Sequence, residues 1–293
     1  MNGKVVVVTG SNVGIGMETA VGVAALGATT VLACRNEQSA EAAAEEVRQR
    51  TGHDDVHVVR LDLGDLASVR ECAAAIQERW SRVDVLINNA GGLWNRRGTT
   101  AQGFEQTFGV NHLGPFYLTS LLADRLVASA PARVINVTSA GHHFATGGMR
   151  WNDLQSARRY KGMQAYVQSK LANLLFTRGL AARYDPAQLT ANAVHPGTVR
   201  TRLGLDGDLK GVVGIGPRLT RPFFITARAG ARTSIFLATD PSVAGATGEY
   251  WVRRHPGHMS RAARDDDAGE RLWSESERML SAAAFPCQLP GRS

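Results

Sequence analysis

Cysteine is scarce. The 293 residues hold three, Cys34, Cys72 and Cys287, far apart in the chain. That spacing excludes a disulfide framework and a cysteine-based metal motif, and it fits a reducing compartment. Long apolar runs are also missing: none approaches the ~18 residues that a membrane span needs, so we expect no membrane-spanning segment. The first residues run directly into a strand pattern and a glycine loop, which leaves no room for a secretory signal and leads us to expect a cytoplasmic protein. There is no internal repeat and no low-complexity block. Aromatic residues are few, at 6%. The basic residues are nearly all arginine and lie scattered, with only short clusters such as Arg158-Arg159 and Arg253-Arg254. A nucleic-acid binder would show a basic stripe with interleaved aromatics. The net charge of +7 therefore reads as a solvated basic surface with some capacity for anionic ligands, and not as a nucleic-acid interface.

What is present is a chain with 44% hydrophobic and 20% charged residues, enough for one large core. We expect a single domain over 1–293. Strand patterns at 5–8, 29–33, 56–60, 83–87, 133–138, 190–194 and 249–252 alternate with helical patterns at 14–26, 39–50, 67–80, 104–128, 165–184 and 227–238. The run Val5-Val6-Val7-Val8 is apolar on both faces, as a central parallel strand requires. This alternation predicts an α/β doubly wound fold: a parallel sheet of seven strands with helices on both faces and its ligand edge at the strands' carboxyl ends. Two stretches break the rhythm. Residues 203–226 are rich in glycine and proline and look like a mobile lid loop on the substrate side. The tail, 261–293, carries a helical pattern at 270–284 in which Leu272, Trp273, Met279 and Leu280 could share one stripe.

Directly after the first strand comes T-G-S-N-V-G-I-G, comprising Thr9, Gly10, Ser11, Asn12, Val13, Gly14, Ile15 and Gly16. Gly10 suits a turn closed to other residues. Gly14 lets backbone approach a pyrophosphate, and Gly16 lets the helix pack closely. The helix N-terminus that follows offers free N–H groups to phosphate. Strand, loop and helix stand in the order that dinucleotide binding requires. The second strand ends at Cys34-Arg35-Asn36, where a binder of NAD would place a carboxylate for the ribose hydroxyls. A guanidinium at Arg35 suits a 2′-phosphate instead, which favours NADP(H). Asp62, followed by Leu63, could accept from the adenine amino group or serve a turn.

Tyr166 and Lys170 fall one helical turn apart on one face. A phenol titrates near ~10, and a neighbouring ammonium favours its ionised form, so the pair makes a plausible acid/base unit. Ser139 follows the fifth strand at the ligand edge and could hold a substrate oxygen. His142-His143 and His255-x-x-His258 lack further ligands at metal spacing, and we expect no metal. Phe223-Phe224-Ile225 reads as a pocket or core cluster.

In this order the motifs resemble the short-chain dehydrogenase/reductase family over nearly the whole chain. The pieces are T-G-S-N-V-G-I-G, N-N-A-G at 88–91, V-N-H at 110–112, N-V-T-S ending at Ser139, Y-V-Q-S-K from Tyr166 to Lys170, and H-P-G-T-V-R-T at 195–201. The resemblance implies that Asn111 joins Ser139, Tyr166 and Lys170 as a catalytic residue, holding a water that links the lysine to solvent. It implies that Asn89, Ala90 and Gly91 line the adenosine side of the cleft. Pro196, Gly197, Val199 and Thr201 would contact the nicotinamide end, and Tyr166 and Lys170 the nicotinamide ribose. A-C-R-N at 33–36, N-H-L-G at 111–114, W-N-D-L-Q at 151–155, S-K-L-A-N-L-L-F at 169–176 and R-L-W at 271–273 resemble the retinol dehydrogenase and protochlorophyllide reductase branch. That branch implies NADP(H) and a small lipophilic carbonyl or alcohol substrate. Residues 203–225 match no single substrate class. The helices at 104–128 and 165–184 resemble those that build a homodimer or homotetramer, while the tail leaves a monomer open. The rival reading is a non-catalytic dinucleotide sensor or scaffold on the same fold.

Overall fold

The computed structural model describes residues 1–197, 225–287 and 289. The elements follow the alternation read above. They are β1 (Val5–Thr9), α1 (Gly14–Ala24), β2 (Thr29–Cys34), α2 (Glu37–Thr51), β3 (Val56–Arg60), α3 (Leu66–Arg79), β4 (Val85–Asn88), α4 (Gln106–Phe108), α5 (Gly114–Ala128), β5 (Ala132–Val137), α6 (Gly162–Ala181), β6 (Leu189–His195), α7 (Ala227–Thr239), β7 (Tyr250–Val252), β8 (His255–Pro256) and α8 (Asp266–Ala282). Most of the expected lid, and also Val199 and Thr201, lie outside the described residues.

The sheet runs β3-β2-β1-β4-β5-β6-β7-β8 and is parallel up to β7. It has eight strands where the sequence suggests seven. The extra one is antiparallel, two residues long and at the edge, and it carries Pro256, which has no N–H for a ladder. Nothing so short leaves a periodic signal.

β1 shows why the sheet is covered twice. Val5 and Val7 pack into a cluster with Val69, Phe116 and Phe176, while Val6 and Val8 pack into another with Val23 and Leu237. Alternate side chains of one strand feed opposite layers. Chain order reverses between β1 and β4, since β2 and β3 lie to one side and β4 onward to the other. A crevice at such a reversal is where ligands bind in open α/β sheets.

Where one helix is predicted at 104–128, the chain instead forms α4, a π-helical turn over Gly109–Leu113, and α5. The tail helix buries Leu272, Trp273, Met279 and Leu280 as one stripe against α6, and just past the end of α6 Arg183 lies 3.7 Å above the Trp273 ring and pairs with Glu270. No described helix is long and apolar enough to cross a membrane.

Candidate active site

The crevice is framed by the ends of β1 and β4. Gly10 has φ +62°, and a Cβ there would stand 2.9 Å from the Ala90 backbone. Both facts demand glycine. A Cβ on Gly16 would overlap the Gly10 carbonyl oxygen, so α1 closes directly on the loop. Asn89 locks this arrangement by donating its Nδ2 to the carbonyls of Thr9 and Gly10 at 2.9 and 3.2 Å. Thr9, which the sequence reading treats only as the motif's first letter, accepts the N–H groups of Asn89 and Ala90 on its hydroxyl, each at 3.0 Å.

The N-termini of α2, α3, α7 and α8 are capped by Asn36, Asp65, Thr226 and Asp265. At α1 the capping position holds Val13, which offers no side-chain bond, and its first turn carries no acidic residue. Uncapped amides and a positive dipole end, held over glycine, suit a phosphate group. The residues present therefore fit a dinucleotide.

Several residues expected to face that ligand have side chains already engaged. Ser11 is fully buried and donates to Val8 O at 2.8 Å. Asn12 reaches Ser39, Asn36 caps α2, and the Asp62 Oδ1 accepts from Gly64 N–H at 2.9 Å. Leu63 is a core residue. Arg35, by contrast, is exposed at the end of β2.

The second half of the site sits on α6. Tyr166 and the Ser139 hydroxyl border one space beside Gly141. A Cβ on Gly141 would be 3.4 Å from Ser139 Oγ and 3.7 Å from Tyr166 Cε1, so glycine keeps the space beside both open. Lys170 is buried, donates to Val137 O at 3.0 Å, and stands 5.6 Å from the centre of the Tyr166 ring. Burial pushes the Tyr166 phenol above its ordinary range, with the Ser139 hydroxyl pulling back, and pushes Lys170 down to about 8. The expected lowering of the phenol by the ammonium does not dominate here, because the ammonium is bonded to a carbonyl and both groups are short of water.

Asn111 lies in the π-helical turn and is fully buried. Such turns often mark functional positions. It holds Gly92 in both directions, accepting its N–H at 2.8 Å and donating to its carbonyl at 2.9 Å, and it also donates to Ser169 Oγ at 2.9 Å. A Cβ on Gly91 would lie 3.1 Å from Asn111 Oδ1 and 3.4 Å from Lys170 Nζ, so both atoms face one small space. The structure thus brings Asn111, Ser139, Tyr166 and Lys170 together. It adds Gly92, which no motif contains, Ser169, which the Y-V-Q-S-K motif contains without a role, and His142, whose Nδ1 bonds Ser139 O at 2.8 Å. Gly197 follows β6 with φ +90°.

The short chain dehydrogenase pattern matches residues 4–206. The chain belongs to the short-chain dehydrogenase/reductase family. It falls in the retinol dehydrogenase branch. It is 45% identical to human retinol dehydrogenase 12 over 278 residues, covering 95% of this chain and 86% of the relative. It is 42% identical to human retinol dehydrogenase 13 over 286 residues, covering 96% and 86%. A crystal structure of an uncharacterized protein from Mycobacterium paratuberculosis superposes with a TM-score of 0.77 at 35% identity, covering 99% of this chain and 96% of that one. Membership makes the chain an oxidoreductase that uses a nicotinamide dinucleotide.

Proposed function

We propose that this short-chain dehydrogenase is NADP(H)-dependent and interconverts a carbonyl and an alcohol on a small lipophilic substrate, with Tyr166 as acid/base. The observation that carries the reading is the gathering of Ser139 and Tyr166 at one space beside Gly141, with a buried Lys170 5.6 Å from the phenol ring. A bound nicotinamide supplies or accepts the hydride. In the reducing direction Ser139 orients the substrate oxygen and Tyr166 hands it a proton as the carbon–oxygen double bond becomes single. A phenol held above its ordinary range keeps that proton until the oxygen gains charge, which suits a general acid. Lys170 and Asn111 resupply the proton through the space they share beside Gly91. Most of the rate gain comes from positioning and from donors aimed at the oxygen.

The preference for NADP(H) is supported by Arg35 in the position where a carboxylate would serve NAD. Gly10, Gly14 and Gly16 with the end of α1 would hold the pyrophosphate. The backbone at Asp62, Leu63, Ala90 and Gly91 would line the adenosine side, and Pro196, Gly197, Val199 and Thr201 the nicotinamide side. The relatives named for retinol make a retinoid one substrate to try among lipophilic carbonyls.

The deciding experiment follows NADPH oxidation optically against a panel of aldehydes and ketones, with wild type and Tyr166→Phe. We expect turnover by wild type, a loss of at least about 10²-fold in the variant, and NADPH binding retained. Near-normal turnover in Tyr166→Phe refutes the role.

A further inference from the structure

The hairpin that ends the sheet has a strained turn. Arg253 and Arg254 link β7 to β8 with φ of 51° and 66°. Both lie in the left-handed region that asparagine and glycine occupy in two-residue hairpins. Arginine gains nothing there locally, and strain of this kind gathers at functional sites. The turn is held in place, since Arg254 N–H donates to Thr233 Oγ1 at 3.2 Å.

Its position is informative. β7 is parallel to β6 with Val252 opposite His195, so Arg253 leaves the sheet at its carboxyl edge beside His195. His195 Nδ1 accepts the N–H of Ala140, the residue after Ser139, at 3.4 Å. Its Nε2 therefore carries the proton and is a donor. His143 lies 4.0 Å from His142, ring centre to ring centre, and runs parallel to His258 at 6.5 Å. Among the described residues Arg253 forms no ion pair with a carboxylate. A strip of Arg253 and three imidazoles thus borders Ser139.

We propose that Arg253, with His195, His143 and His258, binds a carboxylate carried by the substrate. The inference rests on the carbonyl-reduction reading and narrows it: the substrate is an oxo acid or hydroxy acid with an apolar body. Arg253 supplies the planar fork that a carboxylate accepts, and the strained turn fixes where that fork can reach.

The test compares 4-carboxybenzaldehyde with its neutral methyl ester, using NADPH and the full chain. Wild type is expected to favour the acid by about tenfold or more in kcat/KM at low ionic strength, with the preference shrinking as salt screens it. Arg253→Gln should bring the ratio near one, and Arg253→Lys should restore part of it. Arg254→Gly should raise the Tm by relieving the backbone while keeping the ratio. Calorimetric titration of the NADP-loaded protein with 4-(hydroxymethyl)benzoate and its methyl ester reads the same preference without turnover. Reduction of both aldehydes at equal efficiency, or a preference that survives Arg253→Gln, overturns the inference and leaves the oxidoreductase reading standing. If neither aldehyde is reduced, calorimetry decides: Arg253-dependent binding of the acid upholds the strip, and its absence removes it.

Discussion

His112 Nε2 lies 2.9 Å from Ser276 Oγ, joining the π-helical turn that carries Asn111 to a helix 164 residues further along the chain. The serine hydroxyl is already donated to Leu272 O at 2.7 Å, so the imidazole donates and its Nδ1 is left buried with no partner. Burial pushes His112 down to about 3. Ser276→Ala should leave a second buried nitrogen unsatisfied and cost about 1–3 kcal/mol, read from urea unfolding. The folded protein keeps His112 neutral while the unfolded chain protonates near 6.5. Stability from this residue is therefore complete above pH 6.5 and is lost as pH falls toward 3. A urea midpoint that stays flat between pH 6.5 and 4 would contradict the assignment.

Lys170 is expected to trade stability for chemistry. Its folded value of about 8 lies below the ordinary 10.5, so the unfolded chain holds the proton more tightly. The destabilisation is complete below about pH 8 and fades as pH rises to 10.5. Its ceiling is on the order of 3 kcal/mol. Lys170→Met should melt at a higher temperature than wild type at pH 7, with the difference closing by pH 10.5, while turnover falls at least about 10²-fold. A lower Tm at pH 7 would show that the Val137 carbonyl bond outweighs the desolvation.

Arg35 tests the cofactor preference without touching the fold, because it is exposed. Arg35→Ala should weaken NADPH binding about tenfold, equivalent to about 1.4 kcal/mol, and leave NADH binding unaltered. Fluorescence titration with both nucleotides measures this. Equal losses for the two would remove the 2′-phosphate argument.

Gly16 tests the cradle. Gly16→Ala would force a methyl group into the Gly10 carbonyl, a backbone atom that cannot swing aside. NADPH binding should be lost, with a stability cost of about 1–3 kcal/mol from overpacking. Binding at wild-type strength would mean that α1 does not close on the loop as described.

The architecture was readable because its signals are local. Val5 to Val8 announce a strand covered on both faces, and Tyr166 with Lys170 announce one helix face. Three things were not readable. The helix expected at 104–128 has no sequence feature that says where one extra residue enters its turn, yet that turn is what aims Asn111. β8 is too short to have a period. Ser11, Asn36 and Asp62 carry the right polar groups for a ligand, but the fold spends those groups on Val8 O, α2 and Gly64 N–H. A sequence shows which donors and acceptors a residue owns, while partners are assigned only once distant segments meet. The same holds for the phenol: a motif puts an ammonium near it but does not reveal how dry the neighbourhood is.

The bare start of α1 reaches beyond catalysis. With Val13 where a capping residue would stand, a pyrophosphate completes the secondary structure as well as the active site. Ligand and fold then share one equilibrium, and at a hundred times its Kd a nucleotide deepens stability by about 2.7 kcal/mol. The protein's resistance to proteases, and so its lifetime, becomes a gauge of how much dinucleotide surrounds it.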